Sequence, residues 1–200
     1  MREAWERHYS RRRRPWAGAV VLPTLGPGLR VLELGCGGGR LLLPLARGPA
    51  PPELFGLDIA RPAILDLARD LPGVLVRADA ARLPFRGGAF DSVVCRHVLG
   101  HLASEERRAA AGEVLRVLTP GGRAFFEGFS TDDGRFGKGR MVEEGSFVRG
   151  DGILHHYFQA GEVAPLFAGS GRVTVRERSW TVRAGRTRMT RSVIEAEIVR

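Results

Sequence analysis

The chain has 200 residues, 44% of them hydrophobic, the size of one globular domain whose core needs neither disulfides nor a structural metal. Its longest apolar stretches, such as Val20-Val21-Leu22 and Leu41-Leu42-Leu43, fall far short of the ~20 residues of a membrane span. Cys36 and Cys95 are too few for a disulfide framework, and the arginine-bearing start has no apolar signal core, so a soluble cytoplasmic protein with no membrane partner is expected. The net charge of +9 and pI of about 11.1 admit a polyanionic partner. All the basic residues but Lys138 are arginines, a bias that genomic base composition would also produce, and they are dispersed apart from Arg11-Arg12-Arg13-Arg14.

Short apolar runs alternate with longer segments of helical period, the signature of βαβ units. Val31-Leu32-Glu33-Leu34 is the first predicted strand, followed by glycines and a helix to about Arg47 that Gly48-Pro49 stops. Leu54 to Leu57 is the second strand, Arg61 to Asp70 the second helix, Val74 to Val76 the third strand and Phe90 to Cys95 the fourth. Glu105 to Leu118 reads as a crossover helix and Arg123 to Phe129 as the fifth strand. Ser130 to Gly152 has no clear period and is expected to be a long loop or lid; Gln159 to Ala168 is a short helix, and Val173 to Val182 and Arg188 to Val199 are strands. Right-handed crossovers then give a doubly wound Rossmann-like α/β sheet of seven strands, mostly parallel, with an antiparallel C-terminal hairpin. One domain is expected, with an N-terminal cap over 1–28, a cofactor-binding core over 29–129, a lid and acceptor region over 130–158, and a closing helix and strands over 159–200.

Glu33-Leu34-Gly35-Cys36-Gly37-Gly38-Gly39 lies at a strand-to-helix junction, where missing Cβ atoms let a ligand approach the backbone. Asp58 closes the second strand, placed to accept from a ribose diol as in adenosine cofactors. A dinucleotide fingerprint starting at Gly35 requires glycine where Arg40 stands, and Glu33 repels a pyrophosphate while suiting a cationic ligand with an amino-acid moiety, which favours S-adenosylmethionine (SAM) over NAD.

Val31 to Gly39 resembles the first motif of class I SAM-dependent methyltransferases, of the type 11 kind. Gly56-Leu57-Asp58-Ile59 resembles their second motif, Ala78-Asp79-Ala80 with Leu83-Pro84-Phe85 the third, Phe90 to Val94 the fourth, and Leu115 to Gly122 the turn into their fifth strand. The resemblance implies that Glu33, Gly35, Cys36, Gly37 and Gly39 surround the methionine part of SAM, that Asp58 and Ile59 meet its ribose, and that Asp79 and Ala80 meet the adenine. It also places Arg96 and His97 near the methyl group. A weaker resemblance to tRNA wobble-uridine carboxyl methyltransferases runs over His97 to Arg108 and His155 to Phe158.

Methyl transfer is an in-line displacement in which alignment supplies much of the acceleration. Where the acceptor must lose a proton, a histidine serves best, and His97, His101, His155 and His156 are the candidates. On a helix His97 and His101 would share a face, but no third ligand has supporting spacing, so no metal is expected. Strand alternation turns one of His155 and His156 inward and the other outward. Trp5 and Tyr9, one helical turn apart, together with Tyr157, are candidates for acceptor contacts, and Trp16 belongs to the same aromatic and arginine-rich segment. A small-molecule acceptor is the first expectation. An RNA substrate engaged by Arg11 to Arg14 is the alternative, a SAM-binding protein without catalysis is a third, and the chain is expected to be a monomer or homodimer.

Overall fold

The computed structural model describes residues 2–11, 25–185 and 187–200. Arg12 to Arg14, Trp16 and Val20 to Leu22 lie outside the described residues. In chain order the strands are β1 (Arg30–Leu34), β2 (Glu53–Asp58), β3 (Val74–Arg77), β4 (Phe90–Arg96), β5 (Leu118–Phe129), β6 (Arg140–Glu143), β7 (Ser146–Val148), β8 (Leu154–His156), β9 (Arg172–Ala184) and β10 (Thr187–Val199). The helices are α1 (Arg2–Arg11), α2 (Leu42–Ala46), α3 (Arg61–Leu67), α4 (Ser104–Val117) and α5 (Ala160–Leu166).

Seven strands form one sheet in the order β3-β2-β1-β4-β5-β10-β9. Pairing is parallel from β3 to β5, and β10 runs antiparallel to both β5 and β9, which is the doubly wound sheet with a C-terminal hairpin expected from the sequence. Alternation along β1 feeds two apolar layers. Val31 packs with Leu42, Leu54, Leu67 and Val94 on the α2 and α3 side, while Leu32 and Leu34 pack with Phe90, Val93, Val114, Phe126 and Phe158 on the α4 and α5 side. Pro62 sits at the start of α3, where its missing N–H costs nothing, and Ala110, Ala111, Val114 and Val117 give α4 its buried stripe.

Two expectations need correction. The segment Ser130 to Gly152 is not a structureless loop: β6 and β7 pair with β8 in a separate three-stranded antiparallel sheet, here called the flap. Its strands are short, β6 is exposed at nearly every position, and the register shifts between Met141 and Glu143, so no alternation marks it in the sequence. Gly139 and Gly145, with φ of 114° and 69°, make its bends. The first crossover helix is also shorter than predicted, because residues 37–41 remain in turns before α2 begins. No described helix is long and apolar enough to cross a membrane.

Candidate active site

The strand order reverses at β1, which pairs with β2 on one side and β4 on the other, and open α/β sheets bind ligands in the crevice beyond such strand ends. Gly35, Gly37 and Gly39 all have left-handed φ, at 65°, 48° and 77°. A Cβ on them would collide with Val98, the Tyr9 hydroxyl and Leu67 respectively, so glycine is required by packing as well as by backbone conformation. Asp58 ties this loop to the end of β2: its Oδ2 accepts from the Gly37 N–H at 2.9 Å and its Oδ1 from the Ala60 N–H at 2.8 Å. Burial nevertheless raises the Asp58 pKa above its ordinary value against the pull of these amides.

Glu33 is buried, and the Leu42 N–H meets its carboxylate at the start of α2. Among the described residues its Oε2 has no hydrogen-bond partner. Burial pushes its pKa well above the usual carboxylate range, opposed by Arg96 and reinforced by Asp58. A buried, unpartnered acceptor beside the glycine loop calls for a cationic donor. The Cys36 thiol points instead into the core, near Gly56, where burial drives its pKa far upward. Ile59 follows Asp58, and its carbonyl accepts from Arg77. Asp79 is exposed, with Oδ1 accepting from the Ala81 N–H at 2.9 Å, while Ala80 beside it is buried.

Helix α1 lies over this end of the sheet. Glu6 accepts from the Arg61 N–H and pairs with Arg77 at 2.8 Å, which pins α1 to α3 and β3. That docking sets Tyr9 against Gly37 and Trp5 edge-on to His101, with ring centroids 4.8 Å apart.

The ends of β4 and β5 carry a different chemistry. His97 is the one non-glycine residue with a left-handed φ among those described, at 63°. A conformation of that kind costs ~1–3 kcal/mol and persists only where surroundings enforce it. Here Nε2 lies 2.9 Å from Glu127 Oε1, the ring stacks on Phe129 at 4.2 Å, and the Glu127 carbonyl accepts from the His97 N–H. Arg96 donates to the other Glu127 oxygen at 2.7 Å. Burial would raise the Glu127 pKa, but the His97 and Arg96 contacts overcome it and hold it at about 2. His97 Nε2 is thus held against a fixed carboxylate, while Nδ1 is buried and without a partner among the described residues.

His97 and His101 do not share a helical face, because His97 ends a strand and His101 lies in the short 3-10 turn Leu99–His101. His101 is tied to the flap instead: its Nδ1 donates to the Leu154 carbonyl at 2.7 Å and its ring touches His155 edge-on at 4.9 Å. Burial lowers the His101 pKa to about 4, and burial together with its cationic neighbours lowers that of His155 to about 3. His156 projects from the opposite face of β8, where Nδ1 meets Ser146 Oγ at 2.7 Å and Nε2 faces Glu162 at 3.6 Å. Alternation does separate the two histidines, yet both are buried, because β8 is covered on both faces. Burial also brings His156 down to about 4.

Tyr157 is buried, donates to the Arg135 carbonyl at 3.1 Å and accepts from Arg149. Glu127, Phe129, Arg135, Arg149 and the buried Arg107 were not singled out in the sequence. Glu127 carried a usable signal, a carboxylate inside the apolar strand Phe125-Phe126-Glu127-Gly128-Phe129; the arginines carried none, being a few among many. Among the described residues no group of three His, Cys, Asp or Glu side chains is placed to hold a metal.

Residues 32–126 match the methyltransferase domain family. Over 119 residues the chain is 35% identical to a tRNA (carboxymethyluridine(34)-5-O)-methyltransferase of Xenopus tropicalis, covering 58% of this chain and 18% of that protein. Over 100 residues it is 42% identical to a demethylmenaquinone methyltransferase of Thermus thermophilus, covering 47% of this chain and 44% of the relative. The chain thus spans less than half the length of these curated relatives. A solved SAM-dependent methyltransferase of Methanosarcina mazei superposes with a TM-score of 0.69 at 23% identity, covering 86% of this chain and 93% of that one, and shows the shared fold. Over residues 32–126 the chain is similar to the methyltransferase domain family, its fold is shared with a solved SAM-dependent methyltransferase, and SAM is the cofactor that this similarity implies. The residues present fit that cofactor, since the unpartnered oxygen of Glu33 faces a need for a cationic donor and the three glycines leave the backbone open to a ligand.

Proposed function

We propose that this protein methylates a small-molecule acceptor held between α1, the end of β4 and the flap, with His97 as the base. The observation that carries the reading is the His97 geometry: an imidazole held in a rare backbone conformation, with one nitrogen against Glu127 and the other unpaired among the described residues. Bound SAM supplies an electrophilic methyl group on a sulfonium. Glu33 and the glycine loop hold the amino-acid end of that cofactor, Arg96 braces Glu127 beside it, Asp58 and Ile59 take the ribose, and Asp79 and Ala80 take the adenine. Glu127 keeps His97 in one tautomer, so that Nδ1 receives the proton of the acceptor as the new bond forms. His155 lines the acceptor side with Trp5, Tyr9 and Tyr157. His156, turned towards Ser146 and Glu162, holds the flap to α5 and takes no part in the chemistry.

An RNA acceptor is the second reading. The Xenopus relative acts by its name on tRNA, and Arg11 at the end of α1 begins the basic run. Methyl-labelled SAM, offered with a small-metabolite extract or with bulk tRNA, separates the two. Label entering the small-molecule fraction and lost in His97→Gln is the expected result. Label confined to tRNA favours the second reading, and no transfer to either leaves a SAM-binding protein without catalysis.

A further inference from the structure

We infer that the acceptor carries a carboxylate, and that this group seats against Arg149, Tyr157 and His155 beneath the flap. The inference rests on the methyltransferase reading and names the chemical class of its acceptor.

The argument begins with charge. Asp133 is the shared counter-ion of two arginines, with Arg135 Nε at 2.7 Å and Arg191 Nε at 2.8 Å, so one negative charge serves two positive ones. Both guanidinium groups lie over the ring of Phe129, on which His97 also stacks. Arg149 adds a third positive charge. Among the described residues no carboxylate lies within ion-pair distance of it; its Nη2 donates only to the neutral Tyr157 hydroxyl and, at 3.5 Å, to the Arg135 carbonyl, and its buried Nε has no partner. The nearest acid in sequence, Asp151, spends Oδ1 on the Ile153 N–H.

Beside this surplus of charge stands His155, nine-tenths buried, with neither ring nitrogen hydrogen-bonded among the described residues. A neutral imidazole always offers one N–H, so a buried donor here is aimed at nothing the described chain provides. Buried cations and donors without acceptors are tolerated where a ligand completes them. The planar, forked guanidinium of Arg149 matches a carboxylate by two parallel hydrogen bonds. The walls, Phe129, Phe147 and Tyr157, are flat and aromatic, which suits a planar group attached to an apolar body.

Benzoate, benzamide and phenyl phosphate are the probes, titrated into the protein saturated with the demethylated product of SAM. Product binding is scored first by calorimetry; its failure would sink the methyltransferase reading, and benzoate titration of the unloaded protein would still decide this inference. Expected is saturable binding of benzoate at least about tenfold tighter than benzamide, weakened by about tenfold or more in Arg149→Gln and less in Arg149→Lys, which keeps the charge. Benzamide binding as well as benzoate overturns the inference in the wild-type protein alone, whatever the variants do. Undiminished benzoate binding by a folded Arg149→Gln overturns it too, and preference for phenyl phosphate would replace the carboxylate with a phosphate.

Discussion

The C-terminal edge of the sheet divides into two halves of opposite chemistry. At the ends of β1 and β2 stand two buried carboxylates, Glu33 and Asp58, both with raised pKa values. At the ends of β4 and β5, under the flap, His97, His101 and His155 gather with Arg96, Arg135, Arg149 and Arg191. A cofactor bearing positive charge suits the first half and an electron-rich acceptor the second, so the function proposed above would carry a methyl cation equivalent from the acidic half towards the basic one. The halves also differ in construction. The first is tied together by Asp58 within residues 31–60 and covered by α1, whereas the second is assembled from β4, β5, β8, β10 and the turns before β6 and β8, far apart in the chain.

The most severe way to break this division is Asp58→Ala. It removes the proposed ribose acceptor and leaves the N–H groups of Gly37 and Ala60 unsatisfied, at ~1–3 kcal/mol each, so SAM affinity should fall by about a hundredfold or more in calorimetric titration. Wild-type affinity would show that the loop binds its ligand without this tie. Glu127→Gln tests the other half. Its amide cannot hold the His97 tautomer as a carboxylate does, so methyl transfer should drop by about 10²-fold while SAM affinity changes by less than about threefold. A loss of SAM binding equal to the loss of rate would mean that Glu127 serves the cofactor through Arg96 and not the base.

The two halves were unequally legible in the sequence for the same structural reason. The glycine loop, Asp58 and the strands follow from local signals, namely apolar runs, glycine spacing and a carboxylate at a strand end, and the sheet is the mostly parallel one expected, with its antiparallel C-terminal hairpin. Residues of the second half are joined only by folding. The sequence offered His97, His155 and Tyr157 as candidates but held nothing to pair His97 with Glu127, to set Arg149 beside Tyr157, or to bring Trp5 onto His101. Of the flap only the strand bearing His155 and His156 was legible; β6 and β7 escaped notice because they are short and β6 is exposed.

Acid titration sharpens the comparison most finely, because the halves respond with opposite sign. His101, His155 and His156 have pKa values lowered to about 4, 3 and 4 in the folded state, against ~6.5 when unfolded. The unfolded chain therefore binds more protons below pH ~6.5, and stability falls as the pH drops from there towards those folded values. Each histidine must take up a proton that burial disfavours, so all three add to the loss as the pH falls. Glu33 and Asp58, with raised pKa values, favour the folded state in acid and lose that contribution as the pH rises. Circular dichroism should thus show acid unfolding setting in between pH 6.5 and 4, with the midpoint moved down by a few tenths of a pH unit in His155→Phe. Glu33→Gln should be more stable than the wild type near neutral pH, with the difference vanishing in acid. A His155→Phe midpoint that does not move would mean that protonation of the basic half is not what opens the fold.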